Sequence, residues 1–244
     1  MNVELRGVTR RYGRVRALDG VSLALPPGQL IAVLGLNGAG KTTLLRCLAG
    51  VSSVDRGEVL FDGSPFRRDD LAVRRRFMFL PDFPMLFWDR TVVHNLSVIL
   101  RLYERDGGDA PRRAMDMLRD LDLLPLANAL VGTLSRGQIH KTALAALLLV
   151  DPEVWILDEP MASGIDPLAV SILKRAARDA AARGRTIVYS TQLLDIAEHF
   201  ADRIIVLHEG QVRTFAALDE LRATAADPQN PLEDLFSKLR GNPT

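Results

Sequence analysis

LIAVLGLNGAGKTTLLRCLAG, Leu30 to Gly50, joins three textures in one short run. Five apolar residues without alternation suit a strand buried on both faces. The next eight, Gly35, Leu36, Asn37, Gly38, Ala39, Gly40, Lys41 and Thr42, fit the pattern G-x-x-x-x-G-K-[ST] in full. The rest reads as a helix. Small residues at this place let backbone N–H groups wrap an anion at a helix N-terminus, where the helix dipole also favours negative charge. Lys41 can reach the outer phosphates of a nucleotide, the Thr42 hydroxyl can hold Mg2+, and Thr43 joins the same cradle.

Outward from this cradle the chain reads as α/β, a phosphate-loop nucleotide-binding core with a mainly parallel sheet. On its N-terminal side VELRGVTRRYG and RALDGVSLALPPG alternate apolar and polar residues between Gly and Pro, the pattern of antiparallel strands. GEVLFDGSPF predicts a hairpin with Asp62 and Gly63 at its tip. Together these make an antiparallel β annex. From Thr91 to Leu134 apolar positions recur at helical spacing (Ala114, Met117, Leu118, Leu121, Leu124), broken by the polar loop ERDGGDAP. This predicts an inserted α-helical subdomain. After it strands and helices alternate: GQIHKTALAALLLV, EVWILD, PLAVSILKRAARDAAARG, TIVYST, LLDIAEHFA and RIIVLHEG. The chain is expected to be a single domain, 1–244, with core and annex in 1–90 and 135–220, helical insert in 91–134 and an amphipathic tail in 221–244.

Bulk composition excludes several classes. The chain has 244 residues, 48% apolar, with a net charge of +1, so neither nucleic acid nor an anionic membrane is an expected partner. Cys47 is its one cysteine, which rules out a disulfide framework within the chain and suits a reducing compartment. The longest apolar run, Ala143 to Val150, is far short of the ~18 to 20 residues that span a bilayer. A cytoplasmic protein is expected, with any membrane role exercised through a partner.

Two further motifs carry chemistry. In VWILDEP a hydrophobic strand ends in two acids, which puts Asp158 at the sheet edge beside the cradle, placed to hold the metal through water. Glu159 is then free to act as general base or to orient the attacking water. Taken alone, such a pair is as well explained by a helix cap or a solvated edge. LSRGQ, Leu134 to Gln138, opens a helix with Ser135, Gly137 and Gln138, a second anion site or an ordinary Ser cap.

With the three motifs following one another along the chain as cradle, LSRGQ and VWILDEP, the chain resembles the ATP-binding subunit of ABC transporters over nearly all of its length. LSRGQ resembles that family's signature L-S-x-G-Q, and Tyr12 matches the aromatic residue that stacks on adenine. SGID, Ser163 to Asp166, resembles the loop that crosses the dimer interface. The resemblance implies ATP and Mg2+ held between two head-to-tail subunits, identical or related. Ser135 and Gly137 of one chain would cover the nucleotide on the phosphate loop of the other. It also implies a polytopic permease as partner, which would place the chain on the cytoplasmic face of the membrane. LPDFPMLFWDRTVVHNL is the expected contact surface, with Phe83, Phe87 and Trp88 read either as an apolar socket or as core. The ending PLEDLF, Pro231 to Phe236, resembles the exporter branch.

Three positions depart from the family pattern. Asp82 stands in the metal-sensing loop where Gln or Glu is usual; a shorter acid can still bind Mg2+ through water. DEPMASGID is one residue longer than usual between Glu159 and Asp166. Gln192 replaces the histidine that meets the γ-phosphate and positions the water and Glu159. Gln can donate and accept hydrogen bonds but carries no charge. A lost contact of this kind costs ~2 to 4 kcal/mol, about thirty- to nearly a thousandfold in rate. The expected function is therefore ATP hydrolysis, slowed or partner-dependent, that powers export through a separate permease. Its rivals are a soluble ABC-type clamp with no membrane partner and a non-hydrolytic ATP-binding regulator.

Overall fold

The computed structural model describes residues 1–161, 166–225, 227, 230–233, 235 and 236. In chain order its elements are β1 (Val3–Tyr12), β2 (Val15–Leu25), β3 (Leu30–Leu34), α1 (Lys41–Leu48), β4 (Arg56–Phe61), β5 (Ser64–Pro65), α2 (Leu71–Arg74) and β6 (Phe77–Leu80). There follow α3 (Val92–Leu102), α4 (Ala110–Asp120), α5 (Arg136–Val150), β7 (Val154–Leu157), α6 (Pro167–Ala182), β8 (Thr186–Ser190) and α7 (Leu194–Phe200). The last are β9 (Arg203–His208), β10 (Gln211–Ala217) and α8 (Leu218–Thr224).

Two sheets form. One is antiparallel, in the order β2-β1-β4-β5. Its first two strands alternate buried and exposed residues because one face packs on the core and the other meets water. Phe61 pairs with Ser64 across a turn in which Asp62 and Gly63 both take positive φ, 50° and 79°, so the hairpin forms where the Asp-Gly pair predicts it. The second sheet runs β10-β9-β3-β8-β7-β6. Its strands are parallel except for β10, which folds back on β9. Every residue of β3, β7 and β8 is buried, which is why these strands read as continuous apolar runs.

The helices distribute over the sheet by their apolar faces. On one side α1 packs with the annex in a core that holds Leu44, Leu45, Ile31 and Val33. Cys47 lies in this core. Burial pushes its thiol up to about 11, so it is a packing residue and not a nucleophile. On the other side α5 is buried on nearly all its faces, between the sheet and α3, α4 and α6. Residues 91–134 carry helices and 310 turns, with one isolated bridge between Thr91 and Leu130. Of the tail, α8 and Leu232 are seen; Leu232 is fully buried and its N–H donates to Glu198 of α7 at 2.9 Å. Residues 226, 228, 229, 234 and 237–244 of the tail, and residues 162–165, most of SGID, lie outside the described residues.

β6 and β10 are strands that the periodicity does not separate out. β6 is only four residues of FMFL and gains its identity from pairing with β7. β10 is a half-exposed edge strand, QVRTFAA, whose partner β9 decides its conformation.

Candidate nucleotide site

The site lies at the C-terminal edge of the parallel sheet, where β3, β7 and β8 end side by side. Between β3 and α1 the chain makes the glycine loop. A Cβ at Gly35 would sit 2.5 Å from the carbonyl oxygen of Leu207, and one at Gly40 2.4 Å from that of Ala17. Gly40 also has φ 107°, left-handed backbone that favours glycine. It occupies the N-cap of α1 and brings no side-chain oxygen, so the first-turn N–H groups are left for an anion. Lys41 is 7% exposed and folds over the loop, its Nζ donating to the carbonyls of Gly35 at 2.8 Å and Leu36 at 3.3 Å. Burial lowers its pKa, with Glu159 and Asp158 acting against the shift. Phosphate oxygens can replace these backbone acceptors of the ammonium.

Asp158 follows β7 and is 4% exposed. Its Oδ1 accepts from Thr42 Oγ1 at 3.1 Å and from Ser190 Oγ at 2.7 Å. Among the described residues no three His, Cys, Asp or Glu side chains converge on one point. One hydroxyl and one carboxylate beside a phosphate cradle suit Mg2+, which keeps most of its waters and takes few protein ligands. Glu159 is next, with φ 49°. Its N–H donates to Ser190 Oγ at 2.9 Å, and its Oε1 accepts from Gln192 Nε2 at 3.3 Å. Burial raises the Glu159 pKa above the ordinary carboxylate range; the Gln192 hydrogen bond and Lys41 oppose that. Lys41, Thr42, Asp158, Glu159 and Gln192 thus meet in one place. Tyr12 stands beside α1, 44% exposed, with Arg10 at 4.8 Å from its ring centroid and its hydroxyl 3.3 Å from Ser52.

A family model described as ABC transporter matches residues 18–162, a span that runs from the annex through the cradle and both acids. The chain belongs to the ABC transporter family. It is an ATP-binding subunit of that family and an ATPase. It is 30% identical over 237 residues to the ABC-type transporter ATP-binding protein EcsA of Bacillus subtilis (strain 168), covering 97% of this chain and 96% of that one. It is 35% identical over 209 residues to the Nod factor export ATP-binding protein I of Paraburkholderia xenovorans (strain LB400), covering 86% and 68%. Among solved structures, an ATP-binding subunit of an ABC transporter superposes with TM-score 0.90 at 28% identity, over 98% of this chain and all of that one. A dimeric ATP-binding cassette in a post-hydrolysis state with ADP and Pi gives TM-score 0.78 at 26% identity, over 88% and 98%.

In this ABC ATPase the signature residues open α5. Ser135 and Gln138 cap each other, Gln138 N–H to Ser135 Oγ at 3.3 Å and Ser135 N–H to Gln138 Oε1 at 2.8 Å. That capping box presents Arg136 and the exposed Ser135 at the helix tip. Asp82, expected near the metal, is held by Arg136 Nη2 at 3.0 Å, and the same guanidinium lies 4.7 Å from the Phe83 ring centroid. Asp166 caps α6 and pairs with Lys141 at 3.0 Å.

The aromatic run resolves in favour of exposure: Phe83 is 68%, Phe87 51% and Trp88 57% exposed, with Met85 beside them at 91%. Fully buried Asn95 holds this segment, its Oδ1 accepting from Phe87 N–H at 2.7 Å and its Nδ2 donating to the carbonyls of Phe87 and Thr91. Backbone bonds from Val131 and Gly132 to Arg90 and Trp88 pin it from the other side. Met85 and Asn95 lie within the expected contact stretch but were not singled out there, and Ser190 was missed by sequence reasoning. An Asn at helical spacing in an apolar run, and a Ser ending a buried strand, were the available signals.

Proposed function

We propose that this chain hydrolyses Mg-ATP between two head-to-tail subunits, and that their closing and opening powers export through a separate membrane-spanning permease at the cytoplasmic face. The observation that carries the reading is the meeting of Lys41, Thr42, Asp158, Glu159 and Gln192 at one sheet edge. Lys41 and the first-turn N–H groups bind the phosphates. Thr42 and Asp158 hold Mg2+, which supplies charge neutralisation on the phosphates. Glu159 accepts a proton from the attacking water, and Gln192 orients its carboxylate. Tyr12 stacks on adenine, while Ser135, Gly137 and Gln138 cover the nucleotide of the other subunit. Export rests on relatives named for Nod factor export and daunorubicin resistance.

A site completed by a second subunit makes turnover per chain rise with protein concentration until the pair saturates. Steady-state hydrolysis across a wide concentration series measures this, and a rate per chain that stays flat from the most dilute sample would rule out the shared site.

Among the described residues no helix is long and apolar enough to cross a membrane, so membrane work must pass through a surface. The patch of Phe83, Met85, Phe87 and Trp88 is that surface. An aromatic anchor in such a patch is worth ~1 to 2 kcal/mol, about five- to thirtyfold in affinity. Trp88→Ala should weaken assembly with a co-expressed permease by that factor and leave ATP binding unchanged. Assembly of unaltered strength would remove Trp88 from the interface.

A further inference from the structure

We propose that Ser190 is a positioning residue of the ATPase centre, the hydroxyl that fixes both acids of the site at once. It rests on the roles given above to Asp158 and Glu159. β7 and β8 pair through Leu157 and Tyr189, the last register pair between them. One step further, Asp158 and Ser190 stand opposite each other, and there the side chain takes over from the backbone. Ser190 is fully buried. Its hydroxyl has one proton to give and lone pairs to accept with. An ionised carboxylate can only accept and an amide N–H can only donate, so the rotor has a single solution. The proton goes to Asp158 Oδ1 at 2.7 Å, and the lone pair takes the Glu159 N–H at 2.9 Å.

Two consequences follow for the reaction. Asp158 Oδ1 carries both Ser190 and Thr42 as donors, which sets the plane of the carboxylate and turns its other oxygen away from them. Glu159 is held at φ 49°, a left-handed conformation that a non-glycine residue keeps only when its surroundings impose it. Ser190 Oγ is the partner of that peptide. Gln192, two residues on, meets the Glu159 carboxylate at 3.3 Å, so the segment that orients the base from its side chain also orients it from its backbone. Removing the hydroxyl leaves Asp158 Oδ1 with Thr42 in place of two donors and takes the partner from the Glu159 peptide, while Leu157, Tyr189 and the rest of the ladder stay paired.

The test uses the full chain with Ser190→Ala, Ser190→Thr and Ser190→Cys. Outer-sphere hydrogen bonds to metal ligands are worth about ten- to a hundredfold in activity or metal affinity, and Ser190→Ala should lose kcat by that factor. Its KM for ATP should stay within about twofold, because the phosphate cradle is untouched. The second readout is binding: the rise in melting temperature caused by ATP with EDTA should be unchanged, whereas the extra rise on adding Mg2+ should shrink. Ser190→Thr keeps the hydroxyl and should recover most of both. Wild-type kcat and Mg2+ response in Ser190→Ala would overturn the proposal. So would an equal loss of both melting increments, which would make Ser190 a residue of the fold alone. Should the alanine variant not fold, Ser190→Cys, close in size with a weak donor, is read the same way. Glu159→Gln run alongside separates the two claims. If it leaves turnover intact, the site reading falls; if it stops turnover while Ser190→Ala is normal, only the role of Ser190 falls.

Discussion

Glu159→Gln should lower turnover by about a thousandfold, within the range that a general base contributes, while ATP still binds. The amide has the volume of the carboxylate and keeps an acceptor for Gln192, so the substitution removes charge and basicity with little change in packing. Lys41 bonds the Gly35 carbonyl and Thr42 bonds Asp158, both without Glu159, which is why binding survives. The loss should therefore fall on kcat, with KM almost unmoved. A residual rate above about one tenth of wild type would mean that another group takes the proton.

The same carboxylate sets the acid limb of the pH profile. Catalysis needs it ionised, and burial holds its pKa above the ordinary value of ~4.3. Activity should thus rise with pH through that raised pKa and fall below it. The hydrogen bond from Gln192 opposes the upward shift, so Gln192→Ala should move the limb to higher pH.

The strands and the cradle were legible because their physics is local. LIAVL and VWIL are apolar throughout since both sheet faces are covered, and a glycine loop between such a strand and a helix has few other uses. Asp82 and Arg136 were not legible as a pair. They stand 54 positions apart, and only the packing of α5 beside β6 brings them together. Ser190 was hidden for a related reason: alone, a serine ending a strand says nothing, and its meaning comes from Asp158, 32 residues away. β10 was lost because an edge strand owes its form to its neighbour. Cross-sheet contacts were legible where a motif marks both ends, as for Thr42 with Asp158, and not where one end is an unmarked residue such as Ser190 or Arg136.

Gln192→His should raise kcat by about thirtyfold, or ~2 kcal/mol, the lower end of what one transition-state donor supplies. The lower end is the right one because Gln192 still does part of the work. Its Nε2 reaches Glu159 Oε1 at 3.3 Å, so the base keeps a partner. What glutamine lacks is charge and stiffness. A protonated imidazole beside Glu159 favours its ionised form and lowers its pKa, so the acid limb should also move to lower pH, opposite to Gln192→Ala. The backbone is prepared to accept the exchange. Leu193 N–H bonds Thr191 Oγ1 at 3.1 Å and Thr191 N–H bonds Val33 at 3.1 Å, so residue 192 leaves a fixed turn whichever side chain it bears. Gln192 itself is exposed, and the larger ring meets no packed neighbour there. Steady-state rates and pH profiles of the three side chains, measured at saturating protein concentration, give the comparison. Equal rates for Gln and His with a shifted acid limb would mean that a step other than bond cleavage limits turnover in this chain. Equal rates with an unmoved limb would mean that residue 192 does not act on Glu159 at all.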